Sequence, residues 1–300
     1  MKKIKWAKVE SAIFKAISYM AAATTALTLI YILGNITIQA IPSLTWEYIL
    51  TSESEHMELG AGIANAIVGS LVLSLGSTML AAPLAIGTAV YIKRYSSGGR
   101  IVEAFSFLID VLSGTPSIVL GIFGLYILVF LMHSVTGGFS LISGTIALTI
   151  LILPVIERAT ENAIDGVPIE LEEASYAMGA TKMDTVFRIT LPSAISGILT
   201  GIIIGVGRAA EESAVVVLTA GYSQFMPEVK IGSNPDYIFG LKIYPLQDLV
   251  GTLPMCIYRS FEFPTMIAPS KGFAAAFVLI LIVICINSIA RFIVWRRRIG

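Results

Sequence analysis

Arg208, Glu211 and Glu212 stand three and four residues apart inside Ala194 to Ala220, a stretch that carries no other charge. On one helix that spacing brings both carboxylates within reach of the guanidinium. A fixed guanidinium binds a tetrahedral oxyanion through two parallel hydrogen bonds. Carboxylates beside it accept from a protonated oxyanion, or hold the arginine while the site is empty. The competing reading is an ion pair that only locks helices together. Ser113, Thr115 and Ser117 surround Pro116 in an earlier apolar stretch. Their hydroxyls either cover carbonyls that the proline leaves without a donor or line the same route as Arg208.

A second constellation lies in Glu157 to Leu191, a polar segment too long for a plain connector. Pro168 marks a helix start, and Glu170, Glu172 and Glu173 suit the positive end of that helix's dipole. Leu171, Ala174 and Met178 fall on one face, and Gly179 is placed to end the helix in a left-handed conformation. Thr181 and Asp184 set up a capping box for a second short helix bearing Met183, Val186 and Phe187. Pro192 opens the next apolar stretch. A helix, a glycine turn and a helix with bare apolar side chains read either as a hairpin lying on lipid or as an element laid into a groove of a soluble partner chain.

The elements that carry these groups follow from composition. Hydrophobic residues make up 56 % of the 300-residue chain and charged residues 13 %, about half the ~25 % of a water-soluble protein. Mean hydropathy is +0.84. The 20 Lys and Arg balance the 20 Asp and Glu, which excludes a basic nucleic-acid binder. Cys256 and Cys285 suggest neither a disulfide framework nor a metal site, and His56 and His133 suggest no metal. An all-α polytopic membrane protein is expected. A bilayer core of about 30 Å asks for roughly 20 apolar residues per helix, and six stretches qualify: Ala16 to Leu33, Ile63 to Ile92, Phe105 to Met132, Leu141 to Ile156, Ala194 to Ala220 and Gly272 to Val294. Pro83 and Pro116 should kink the second and third.

Lys and Arg concentrate in the N-terminal tail, around Lys93 to Arg100, around Arg158 to Arg188 and in the C-terminal tail; these connections and both termini are therefore expected in the cytoplasm. The first stretch reads as a retained anchor rather than a signal peptide. Asn35 to Gly62, with Glu47, Glu53, Glu55 and Glu58, reads as a solvated external loop. Within the external segment Tyr222 to Lys271, a short apolar piece from Leu246 to Tyr258, broken by Pro254, reads as interfacial or re-entrant. Asp110 reads as a solvated or capped acid, and Glu157 and Arg158 as interfacial charges. The middle of the fifth span falls near Gly207, where a charge facing lipid costs about 2.5–3.5 kcal/mol. Arg208, Glu211 and Glu212 must therefore face the bundle or a wet cavity. Gly197, Gly201 and Gly205 form a close-packing seam. At 3.6 residues per turn Arg208 lies about 20° from Gly197, and Glu212 about 20° from Gly201, so charges and seam are expected on one face.

Glu173-Ala174-Ser175, then Gly179, then Ile189-Thr190-Leu191-Pro192 resembles the E-A-A, G, I-x-L-P signature of ABC importer permeases, with Ser175 in place of the commoner alanine. The resemblance implies coupling helices seated in a cleft of an ATPase subunit, with Glu172, Glu173, Ala174, Ser175, Gly179, Ala180, Leu191 and Pro192 at or beside that contact. Gly207 to Ala214 is similar to the G-R-A-x-G-E-T-A stretch of phosphate importer permeases, and Gly114 to Gly124 to their G-x-P-S-I-V-x-G-x-F-G stretch. Glu211 departs from that pattern, standing where the family has glycine. The implied architecture is a type I ABC importer permease domain of six transmembrane helices over 62–300, with a coupling hairpin at 165–192, preceded by an anchor helix and external loop over 1–61. The implied substrate path includes Arg208, Glu211, Glu212, Ser113, Thr115 and Ser117.

The implied partners are a sister permease, two ATPase subunits, an extracytoplasmic phosphate-binding protein and the lipid membrane; no nucleic acid is among them. No lysine here ends a glycine-rich phosphate loop, since Gly179-Ala180-Thr181-Lys182 lacks the upstream glycine and the following hydroxyl. The chain is thus expected to be a transport subunit rather than an enzyme and to hold no cofactor or metal, with ATP and Mg on the partner ATPase. Sulfate, molybdate or an organic solute remain open as cargo. A proton-coupled secondary carrier, with Arg208, Glu211 and Glu212 as a relay, remains open as a different class.

Overall fold

The computed structural model describes residues 2–56, 58–96, 98–233, 237 and 241–298. The chain builds α1 (Lys2–Ala40), α2 (Ala64–Val90), α3 (Arg100–Gly114), α4 (Ser117–Gly124), α5 (Leu141–Asp165), α6 (Ile169–Ala177), α7 (Lys182–Thr185), α8 (Leu191–Glu211), α9 (Ala214–Thr219), α10 (Leu253–Glu262) and α11 (Pro269–Arg298). The last turns of α2, α4 and α7 widen into π-helix at Tyr91–Tyr95, Leu125–Leu131 and Val186–Thr190. A two-stranded antiparallel hairpin, β1 (Lys230–Ser233) and β2 (Leu241–Tyr244), interrupts the all-α pattern in the loop between α9 and α10. Residues 234–236 and 238–240 of that loop lie outside the described residues.

By length and composition, five helices among the described residues can cross a membrane, or six when α3 and α4 count as one broken span. The third expected span is not a kinked rod: α3 and α4 meet at 105° across Pro116. Proline removes an N–H and drives the preceding residue to extended backbone, and Thr115 adopts φ −79, ψ 129. Pro83 and Pro154, by contrast, sit inside continuous helices held on several sides. The fifth expected span also breaks. α8 stops at Glu211, and Glu212 is extended at φ −75, ψ 120. The Glu212 carboxylate then accepts from Ala214 N at 3.0 Å and Val215 N at 3.4 Å, capping α9.

At the centre, α2 and α5 run parallel, and α8 runs antiparallel to α5. Thr149 Oγ1 on α5 donates to Ser77 O on α2 at 3.2 Å. Gly197, Gly201 and Gly205 face Ala163, Ala159 and Ile156, and a Cβ at Gly201 would collide with Ala159. The glycine seam is therefore the α8–α5 contact. Leu148, Ile152, Ile156 and Val215 lie in the buried core beside it.

At one end Lys93 pairs with Asp165 at 2.7 Å. At the other, Ser43 Oγ donates to Ser270 Oγ at 2.7 Å, joining the end of α1 to the start of α11, so the two chain ends share a face. Pro254 opens α10 rather than breaking a helix, because its missing N–H falls where none is needed. Glu53 is not solvated: it is 2 % exposed and accepts from Gly60 N at 2.9 Å, Arg259 Nη1 at 3.3 Å and the Tyr222 hydroxyl. Arg158 and Asp110 pair at 2.5 Å. Glu157 is fully buried rather than interfacial, because α2, α3 and α8 all pack on α5.

Candidate functional site

Gly205 rests against Ile152 and Ile156, near the middle of α5. Arg208 lies three residues on, about 4.5 Å further along the axis, and so close to the level of the middle of α5. Arg208 and Glu211 are exposed and Glu212 is half-buried. The expected shared face holds only in part. The seam turns to α5, while Arg208 and Glu211 emerge beside it on a stripe with Thr200 and Ile204, also exposed. Glu212 leaves the helix altogether, so the expected i+4 partner of Arg208 is a cap for α9.

The second broken span packs against the first. Gly121 of α4 lies against Ala214, Val215 and Leu218 of α9, and Gly124 against Thr219. One turn before Gly121 is Ser117, and one turn before Val215 is Glu211. Ala214, the first residue of α9, therefore sits beside Gly121, one turn into α4, and the two short helices that follow the breaks run side by side. Ser113 is exposed, with Thr115 and Ser117 half-buried. Thr115 Oγ1 donates to Val111 O at 2.6 Å, covering a carbonyl beside the proline break.

At the Lys93 end the hairpin forms from local rules. α6 begins after Pro168, Gly179 turns at φ +82, and Thr181 Oγ1 accepts from Asp184 N at 3.2 Å while donating to Asp184 Oδ2 at 2.6 Å. Glu173, Ala174, Gly179 and Pro192 are exposed; Ser175, Ala180 and Leu191 are half-buried. Ile169, Leu171, Met183 and Phe187 are bare, and Met178 is 89 % exposed. Val186 departs from that face and is buried. Glu172 turns inward: Oε1 accepts from Arg94 Nε at 2.7 Å and from Thr190 Oγ1 at 2.7 Å. Arg94 Nη2 also reaches Ile164 O at 3.1 Å, and Ser175 Oγ lies 2.9 Å from Thr185 Oγ1. The hairpin is thus tied to the ends of α2 and α5 and the start of α8. Arg94 and Thr190 had no local signal, because nothing in Glu170 to Glu173 distinguishes the acid that turns inward.

Residues 81–299 match the family described as binding-protein-dependent transport system inner membrane component. The chain belongs to that family. It is 36 % identical over 203 residues to a probable ABC transporter permease protein, YqgI, of Bacillus subtilis, spanning 67 % of each chain. It is 36 % identical over 246 residues to the phosphate transport system permease protein PstA 1 of Mycobacterium tuberculosis, 80 % of this chain and 74 % of that one. The PstA of Yersinia pestis is 30 % identical over 297 residues, 99 % of this chain and 94 % of that one. In fold it is similar to a chain of the MetNI methionine ABC transporter in an inward-facing conformation, with TM-score 0.60 and 19 % identity over 78 % of this chain and 95 % of that one. A binding-protein-dependent inner membrane component is a multi-pass membrane protein that works with an ATPase and a substrate-binding protein.

Proposed function

We propose that this chain is a permease subunit of an ATP-driven importer of inorganic phosphate and shares its translocation path with a sister permease. The observation that carries the reading is the exposure of Arg208 and Glu211 on a helix long and apolar enough to cross a membrane. Facing lipid, each would cost about 2.5–3.5 kcal/mol, so this stripe is covered by protein and water. Arg208 offers a phosphate oxyanion two parallel donors. With Glu212 spent as a cap, Glu211 is the carboxylate left to accept from the hydroxyl of HPO4²⁻. Ser113 and Ser117 complete the path. The PstA relatives and the two sequence stretches that resemble phosphate permeases support the cargo.

In this reading the hairpin docks into one of two ATPase subunits, which carry ATP and Mg, and a phosphate-binding protein delivers cargo from outside. Both termini lie in the cytoplasm. ATP binding closes the ATPases, tilts the hairpins and favours the outward-open state; hydrolysis restores the inward one. The test is ATP-driven uptake of labelled phosphate into vesicles that hold the whole transporter. Arg208→Ala should lower uptake about 100-fold, as losing two charge-assisted hydrogen bonds of roughly 1.5 kcal/mol each implies. Unchanged uptake in that variant overturns the site, sulfate or molybdate competing as well as phosphate reassigns the cargo, and uptake driven by a proton gradient without ATP reassigns the class.

A further inference from the structure

Arg158 on α5 sits among three carboxyls. Nη1 donates to Glu161 at 2.6 Å, and Nη2 donates to Asp110 at 2.5 Å and to Ser106 O at 3.5 Å. Nε stands 3.9 Å from Glu157 Oε2, beyond hydrogen-bond reach. Glu157 is 0 % exposed, and neither of its carboxyl oxygens has a hydrogen-bond partner among the described residues. Asp110 is the opposite kind of group, its side chain 67 % exposed. It rides on α3, whose buried residue is Ile109. So little apolar burial leaves the bonds from Arg158 to Asp110 and Ser106 as a large part of what seats α3 on the bundle.

A carboxylate sealed from water with no donor is far costlier than the neutral acid. A guanidinium 3.9 Å away removes that cost after a small turn of its side chain, once it gives up its present partner. We propose that Glu157 is the reserve partner of Arg158: a protonated acid while α3 is seated through Asp110, and an ionised partner of the guanidinium when α3 moves away. The exchange releases one proton from Glu157 to water and leaves Asp110 hydrated. The other charged groups around Glu157 are Asp110 from α3, Lys93 beyond the end of α2, which is held by Asp165 at 2.7 Å, and Arg158 and Glu161 from its own helix. α8 presents its glycine seam to α5 and no ionisable group there. Acid therefore favours the seated α3 and alkali the released one. Because α3 is one arm of the break at Pro116, the position of that break is linked to a proton, whatever cargo the transporter carries.

The test is infrared difference spectroscopy of the transporter, purified with its partner subunits and reconstituted in lipid at neutral pH. A carboxylic-acid C=O band is expected in the wild type, absent in Glu157→Gln and displaced in Glu157→Asp, which assigns it even if one variant assembles poorly. Asp110→Ala, which removes the α3 partner of Arg158, should abolish most of that band, because the guanidinium turns to Glu157. A wild type without a Glu157-dependent band, or a band that persists undiminished in Asp110→Ala, overturns the proposal. Neither result depends on phosphate uptake, so a different cargo would leave the proposal standing.

Discussion

Arg259 and Glu53 illustrate what single side chains contribute at the Ser43 end of the bundle. Arg259 donates to a carboxylate that is 2 % exposed, and its guanidinium lies 4.0 Å above the Tyr222 ring. Removing it strands a buried charge, which costs about 3–5 kcal/mol. Arg259→Ala should therefore lower the unfolding temperature of the purified transporter strongly. Arg259→Lys should recover little, since an ammonium lacks the planar fork that both pairs and stacks. The same pocket sets a pH response. Burial pushes the Cys256 thiol from an ordinary value of 9.0 up to about 12, and burial also raises the Tyr222 hydroxyl. A thiol raised in the folded chain keeps its proton after the unfolded chain has lost one, so this stability is whole below about pH 9 and falls as pH rises toward 12. The unfolding temperature should fall steadily above about pH 9, and Cys256→Ala should weaken that fall. None of this was legible in the sequence: Glu53 looks like its neighbours Glu47, Glu55 and Glu58 until residues 222 and 259 fold onto it.

At the scale of the element, the hairpin was largely legible because its signals are local. A proline start, a glycine stop and a Thr/Asp cap act within four residues, and each forms. Its attachment was not legible, since Arg94 reaches Glu172 across 78 residues. Glu172→Ala should leave ATP hydrolysis largely intact while uptake collapses, because a loosened hairpin no longer transmits motion; parallel assays of phosphate release and uptake check this. Gly179→Trp, placed on the bare face, should abolish co-purification of the ATPase. The two breaks differ in the same way. Pro116 announces its own, though not the 105° angle. The one at Glu212 requires that carboxylate to choose the N–H groups of α9 over Arg208, a choice that packing of α9 on α4 decides. Gly201→Leu should separate α8 from α5, at a cost of at least the 1–3 kcal/mol typical of overpacking, read as lost thermal stability of the assembled transporter.

For the whole molecule, the bond between Ser43 and Ser270 and the pair between Lys93 and Asp165 mark opposite ends of the bundle. Single cysteines placed at Lys15 and Arg291 should react with a membrane-impermeant maleimide only in inside-out vesicles, and one at Phe225 only in right-side-out vesicles. Labelling of the two termini from opposite sides would contradict the even count of crossings. The expected six crossings match the bundle because hydropathy is a property of composition, summed over some 20 residues. The broken third and fifth crossings match it less well because the same sum is blind to where a helix stops inside lipid.

The sequence by itself determined the solvent, the number of apolar crossings, the side on which positive charge collects and the shape of the hairpin, since each depends on residues near one another in the chain. Only the tertiary structure decided which of several similar acids is buried, with Glu53, Glu157 and Glu172 sealed while Glu211 stays exposed, and that the short helices after the two breaks pack side by side. A carboxyl's partner is chosen by whichever donor the fold brings within about 3 Å, and no spacing along the chain encodes that distance.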